Sequence, residues 1–93
     1  MQNKSINIIR KKLDKLDNQI LNLIKKRTIL VNSVLKRKKF KKEIIDKKRI
    51  KTILKRIKSK SLKKNIDPKI TKDIWKSMIK SFIQYEYRSF KRK

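Results

Sequence analysis

Arg27, Lys38 and Glu86 stand where the spacing of the chain asks for apolar side chains. Leu13, Leu16, Ile20, Leu23, Val31 and Val34 recur at the three- and four-residue steps of one α-helical face. Arg27 and Lys38 fall on the same stripe. Near the other end, Trp75, Ile79 and Phe82 lead on to Glu86 at the same spacing. A charge turned towards a core is costly unless something pairs with it. Two cations and one carboxyl group aimed inward point to a buried, charged ligand.

If one helix carries both cations, Arg27 and Lys38 share a face almost three turns apart, with Cα atoms ~16 Å apart. Their long side chains then leave a gap sized for one small molecule. Asp46 and Arg49, at i and i+3, are neighbours at the start of a second helix, where Asp46 can hold Arg49 and direct it as Ile53 is directed. Arg10 lies ~25 Å before Arg27 and about 100° round the helix. It cannot serve the same pocket within one chain, but it can serve a partner's pocket in an antiparallel pairing. Arginines in such sets hold carboxylates or phosphates through paired hydrogen bonds.

Three helices have to position these groups, and the expected fold class is all-α. The first opens near Asn3 or Ser5, either a suitable cap, and runs without a breaker to about Lys39. That is ~50 Å of helix, against a radius of gyration near ~12 Å for a compact domain of this length. Such a helix cannot fold back on its own apolar face, so an intertwined homodimer is expected. A basic connection, Phe40 to Glu43, leads to the second helix, which presents Ile50, Ile53, Leu54 and Ile57. Asn65-Ile66-Asp67-Pro68 is the clearest punctuation: Asp67 can cap a third helix whose first residue is Pro68. That helix runs through Ile70, Ile74, Trp75, Met78, Ile79, Phe82 and Ile83, and the last five residues are expected to fray.

Ninety-three residues are read as a single domain, 1–93. The chain has no Cys and no His, which excludes disulfides, thiolate chemistry and the commonest general base and metal ligand. No apolar run approaches a membrane span and no signal-peptide pattern opens the chain, so a cytoplasmic, membrane-free protein is expected. A net charge of +25 points first to nucleic acid or acidic membranes. The lack of Ala and Gly beside abundant Lys, Ile and Asn is, however, what an AT-rich genome writes at tolerant positions. Basic residues are spread over all three helices with no docking motif, which makes nucleic acid an unlikely partner.

The segments Ile9-Arg10-Lys11-Lys12-Leu13-Asp14-Lys15-Leu16-Asp17-Asn18-Gln19-Ile20-Leu21 and Leu23-Ile24-Lys25-Lys26-Arg27 resemble the small all-helical chorismate mutases. Lys38, Asp46-Lys47-Lys48-Arg49, Asp67-Pro68 and the stretch from Ile74-Trp75 to Glu86 follow at suitable spacing, and the likeness covers about Ile6 to Tyr87. The resemblance implies a domain-swapped dimer with two active sites, each built from both chains, acting on the dianion chorismate without a cofactor or metal. It implies that Arg27, Lys38 and Arg49 hold the substrate from one chain and that Arg10 of the other chain binds a carboxylate. Lys38 and Glu86 would flank the ether oxygen of the breaking bond, and Asp46 would contact the substrate hydroxyl or orient Arg49. The family's usual glutamate after the Asp-x-x-Arg arginine is Ile50 here.

Rearrangement of chorismate to prephenate, a step of phenylalanine and tyrosine synthesis, suits a chain without Cys or His. It is a concerted shift of bonds that needs no nucleophile and no proton relay. Holding the reactive conformer and aiming donors at the oxygen that gains charge supply the catalysis. Two alternatives remain open: the related lyase that releases pyruvate from isochorismate, and a non-catalytic basic dimer that binds nucleic acid or a partner protein.

Overall fold

A computed structural model describes residues 4–90. Three α-helices follow in order, α1 (Lys4–Leu35), α2 (Lys47–Lys63) and α3 (Pro68–Ser89), with one 3₁₀ turn at Lys41–Glu43 and no strand among the described residues. The chain divides into two units, Met1–Val31 and Asn32–Lys93. The first is most of α1. The second holds the last turn of α1, the 3₁₀ turn and the α2–α3 hairpin.

Within the first unit α1 is unbroken because no Gly or Pro occurs in it; the whole 32-residue helix is about 48 Å long. Its stripe of Leu13, Leu16, Ile20 and Leu23 is exposed, each side chain half or more open. Among the described residues the helix begins at Lys4, so Ser5 lies inside it, and the alternative cap, Asn3, lies outside the described residues. Lys91–Lys93 of the expected frayed tail also lie outside them, whereas Ser89 is still helical and Phe90 is extended.

In the second unit α1 stops at Leu35, four residues before the expected Lys39. The backbone tightens first: Arg37 N–H donates to Val34 at 3.0 Å and Lys38 N–H to Leu35 at 3.1 Å, three residues back instead of four. A continued helix would then send the Lys39 N–H to the Leu35 carbonyl. Instead Lys39 N–H and Phe40 N–H both donate to Glu43 Oε2, at 2.6 and 2.9 Å. Phe40 is extended (φ −128°, ψ 146°), and the turn after it buries Ile44 to 3% exposure. Leu35, at 7%, and Ile44 are the buried apolar residues among those described, and they bracket the connection.

The hairpin forms as its sequence dictates. Asp46 caps α2 and Asp67 caps α3, with Pro68 in the first turn, where a missing N–H does no harm. Asn65 closes α2 in the left-handed region (φ 57°). Around it Ile66 N–H reaches the Ser61 carbonyl at 2.9 Å and Asn65 N–H reaches Leu62 at 3.3 Å, the bond pair of a Schellman cap. Ile53, Leu54 and Ile57 of α2 and Met78, Ile79, Phe82 and Ile83 of α3 are half-buried. Where the helices meet near the turn, Ser61 Oγ and Thr71 Oγ1 are 2.7 Å apart, and both residues are buried.

Candidate active site

Lys38 lies beyond the end of α1, in the connection before the 3₁₀ turn. The three-turn, ~16 Å arrangement of Arg27 and Lys38 on one helix therefore does not apply, because the helix unwinds at Leu35. Lys38 nevertheless turns inward. Its Nζ donates to Glu86 Oε1 at 3.1 Å, with side-chain exposures of 19% and 10%. Glu86 sits in the last turns of α3 and is buried there, as the Trp75, Ile79, Phe82 spacing predicts. The two groups are 48 residues apart in sequence, and the fold brings them together.

An ammonium offers three N–H donors and one is spent on Glu86. The remainder can bind an incoming anionic or ether oxygen, while the second carboxyl oxygen of Glu86 stays available as an acceptor or, when protonated, a donor. Such a partly buried cation–acid pair suits a ligand oxygen whose charge changes during a reaction.

Asp46 acts differently from the expected side-chain clamp. Its Oδ1 accepts the backbone N–H of Arg49 at 2.9 Å, which caps α2, and Arg49 is exposed. An aspartate just before a helix satisfies an orphan N–H, and Asp46 Oδ1 is used in that way. Arg10 and Arg27 belong to the first unit, and Arg10 is exposed. Ile50 lines an apolar cavity of about 370 Å³ between α2 and α3, with Leu54, Ile79, Ile83 and Tyr87 among its walls.

Two supports escaped the sequence reading. Tyr85 donates its hydroxyl to Asn32 Oδ1 at 2.7 Å and meets the Phe82 ring edge-on at 6.4 Å. This ties α3, one residue before Glu86, to the last turn of α1. The other is Glu43, whose two backbone hydrogen bonds fix the peptide units just after Lys38. Those bonds, from Phe40 and then Lys39, hold its carboxyl below the ordinary value of 4.5, and the charges of Lys38 and Lys42 act in the same direction. A glutamate three residues after an extended residue is half of a capping box, the one signal that could have revealed it.

The fold and the inward Lys38–Glu86 pair define a small all-helical protein with a partly buried cation–acid pair. The family profile for chorismate mutase type II matches residues 9–87, and the chain belongs to that family. Neither a comparison with curated proteins nor one with solved structures returns a match. No helix among the described residues is long and apolar enough to cross a membrane.

Proposed function

We propose that this chain, acting as one domain over residues 1–93, is a chorismate mutase that converts chorismate to prephenate in phenylalanine and tyrosine biosynthesis. The observation that carries the reading is the partly buried Lys38–Glu86 pair in a chain of this family. The reaction breaks one C–O bond and forms one C–C bond within a single molecule, so nothing enters or leaves. Lys38 and Glu86 flank the ether oxygen, Lys38 donating to it as charge develops there. Arg27 and Arg49 hold the substrate carboxylates, and Asp46 supports Arg49 through the helix it caps.

Arg10 completes the site from a second copy of the chain. The exposed apolar stripe of α1 supports this, since a free helix with that much open Leu and Ile is a poor end state in water. The active species is thus an intertwined, cytoplasmic homodimer that needs no cofactor.

The test is the loss of chorismate followed by absorbance, with the product identified. Prephenate supports the proposal. Pyruvate released from isochorismate, with chorismate untouched, replaces it with the lyase reading, and no turnover of either compound overturns both.

A further inference from the structure

Lys38 sits in a connection with neither Gly nor Pro, outside any helix, yet its ammonium reaches one defined partner. Something must hold the backbone still. Leu35 and Ile44 anchor the ends of the connection by burial. Between them, Lys38 N–H is held by the Leu35 carbonyl at 3.1 Å, and the next two N–H groups converge on Glu43 Oε2 at 2.6 and 2.9 Å. The peptide units on both sides of Lys38 are therefore fixed, one by a main-chain carbonyl and the other by a single side chain.

We infer that Glu43 is a positioning residue for Lys38: by clasping the amides of Lys39 and Phe40 it sets where the Lys38 ammonium meets Glu86. This rests on the proposed role of Lys38. Glu43 acts on Lys38 chiefly through the backbone amides it clasps, and its charge also faces that of Lys38. A lysine side chain has four rotatable bonds above its Cα, so a tilted peptide unit is magnified at Nζ. The carboxylate is the stronger form of the clasp, because an ionised acceptor binds N–H groups about twice as well as a neutral one. The charges facing it are Lys38 and Lys42, and both favour the ionised form.

The test uses the full chain with Glu43→Ala, Glu43→Gln and Glu43→Asp. Glu43→Ala is expected to lower kcat for chorismate roughly 10- to 100-fold, the cost of misplacing a catalytic group by about 1 Å, with KM little changed. Glu43→Gln keeps a carbonyl acceptor and is expected to recover most of that loss at neutral pH. An activity-independent reading comes from NMR: amide exchange at Lys39 and Phe40, and a cross-relaxation signal between the side-chain methylenes of Lys38 and Glu86. Both amides should exchange faster in Glu43→Ala, and the Lys38–Glu86 signal should vanish.

Wild-type kcat in Glu43→Ala, or a lowered kcat with the Lys38–Glu86 signal intact, overturns the inference. If the wild-type chain turns over no chorismate, the mutase reading falls, while the NMR signals still decide whether Glu43 positions Lys38. Should Glu43→Ala not fold, Glu43→Asp, whose shorter arm cannot reach both amides, gives the same readings.

Discussion

Lys38 Nζ and Glu86 Oε1 are 3.1 Å apart, and neither side chain is more than one-fifth exposed. Each group satisfies the other in the absence of ligand. Removing one leaves the other shielded from water and unpaired, which is worse than removing both. Lys38→Ala is expected to destabilise the fold by about 1–3 kcal/mol. Lys38→Met combined with Glu86→Gln should lose less than the sum of the two single changes. A double-mutant cycle by urea unfolding measures this, and strict additivity would show that the pair contributes nothing.

The same pair sets the kinetic expectation. Lys38→Ala should lower kcat by about 10²- to 10³-fold, because the contact strengthens as the ether oxygen gains charge. A change confined to KM would make Lys38 a plain binding residue. Lys39→Ala, one residue on and exposed, is the control and should be near neutral in turnover.

Glu86→Gln keeps a hydrogen-bond donor at every pH, whereas Glu86→Ala removes it. The glutamine variant should therefore retain activity that the alanine variant loses. Loss of activity equal to that of the alanine variant would show that Glu86 is needed as an acceptor for Lys38 and not as a donor to substrate.

Assembly can be tested with two inactive variants. Arg10→Ala and Arg27→Ala should each nearly abolish turnover, and refolding them together should restore part of it, since one site of a mixed dimer is then intact. Light scattering of the wild type should give twice the 11.4 kDa chain mass. A stable folded species at the single-chain mass would sink the intertwined dimer.

Glu43 links pH to stability with a definite sign. Its carboxyl is held below 4.5 in the folded chain, so the stabilisation is present above that value and fades as pH falls through the lower folded value. The Tm advantage of wild type over Glu43→Gln should accordingly shrink on acidification. An advantage that grew at low pH would contradict the hydrogen bonds drawn to that oxygen.

The helices were legible because their spacing and caps are local. Leu13 to Val34 and Ile70 to Ile83 repeat at the helical period, and Asp67-Pro68 announces α3 by chemistry that needs no neighbour. The end of α1 was not legible, since no Gly or Pro marks it. What stops the helix is the carboxylate of Glu43, eight residues beyond Leu35, competing for the amides that a further turn would use. Glu86 could be placed inward from Trp75, Ile79 and Phe82, but its pairing with Lys38 depends on how the connection folds. Asp46 was read as a side-chain clamp although its place before a helix made it a cap. The Tyr85–Asn32 bond joins residues 53 apart with no shared pattern, and no local rule finds such a pair.

The hydroxyl contact between Ser61 and Thr71 reaches further than its location indicates. Methyl groups can slide past one another, but two oxygens 2.7 Å apart have a direction, so this contact sets the axial and rotational register of α3 against α2. Glu86 lies fifteen residues on along the same unbroken helix, about 22 Å away, and inherits that setting. A slip of one residue at the turn would carry Glu86 about 100° round the axis and away from Lys38. Damage at Ser61 or Thr71 would thus surface as a lesion in turnover, at a distance where no ligand could be touching either residue.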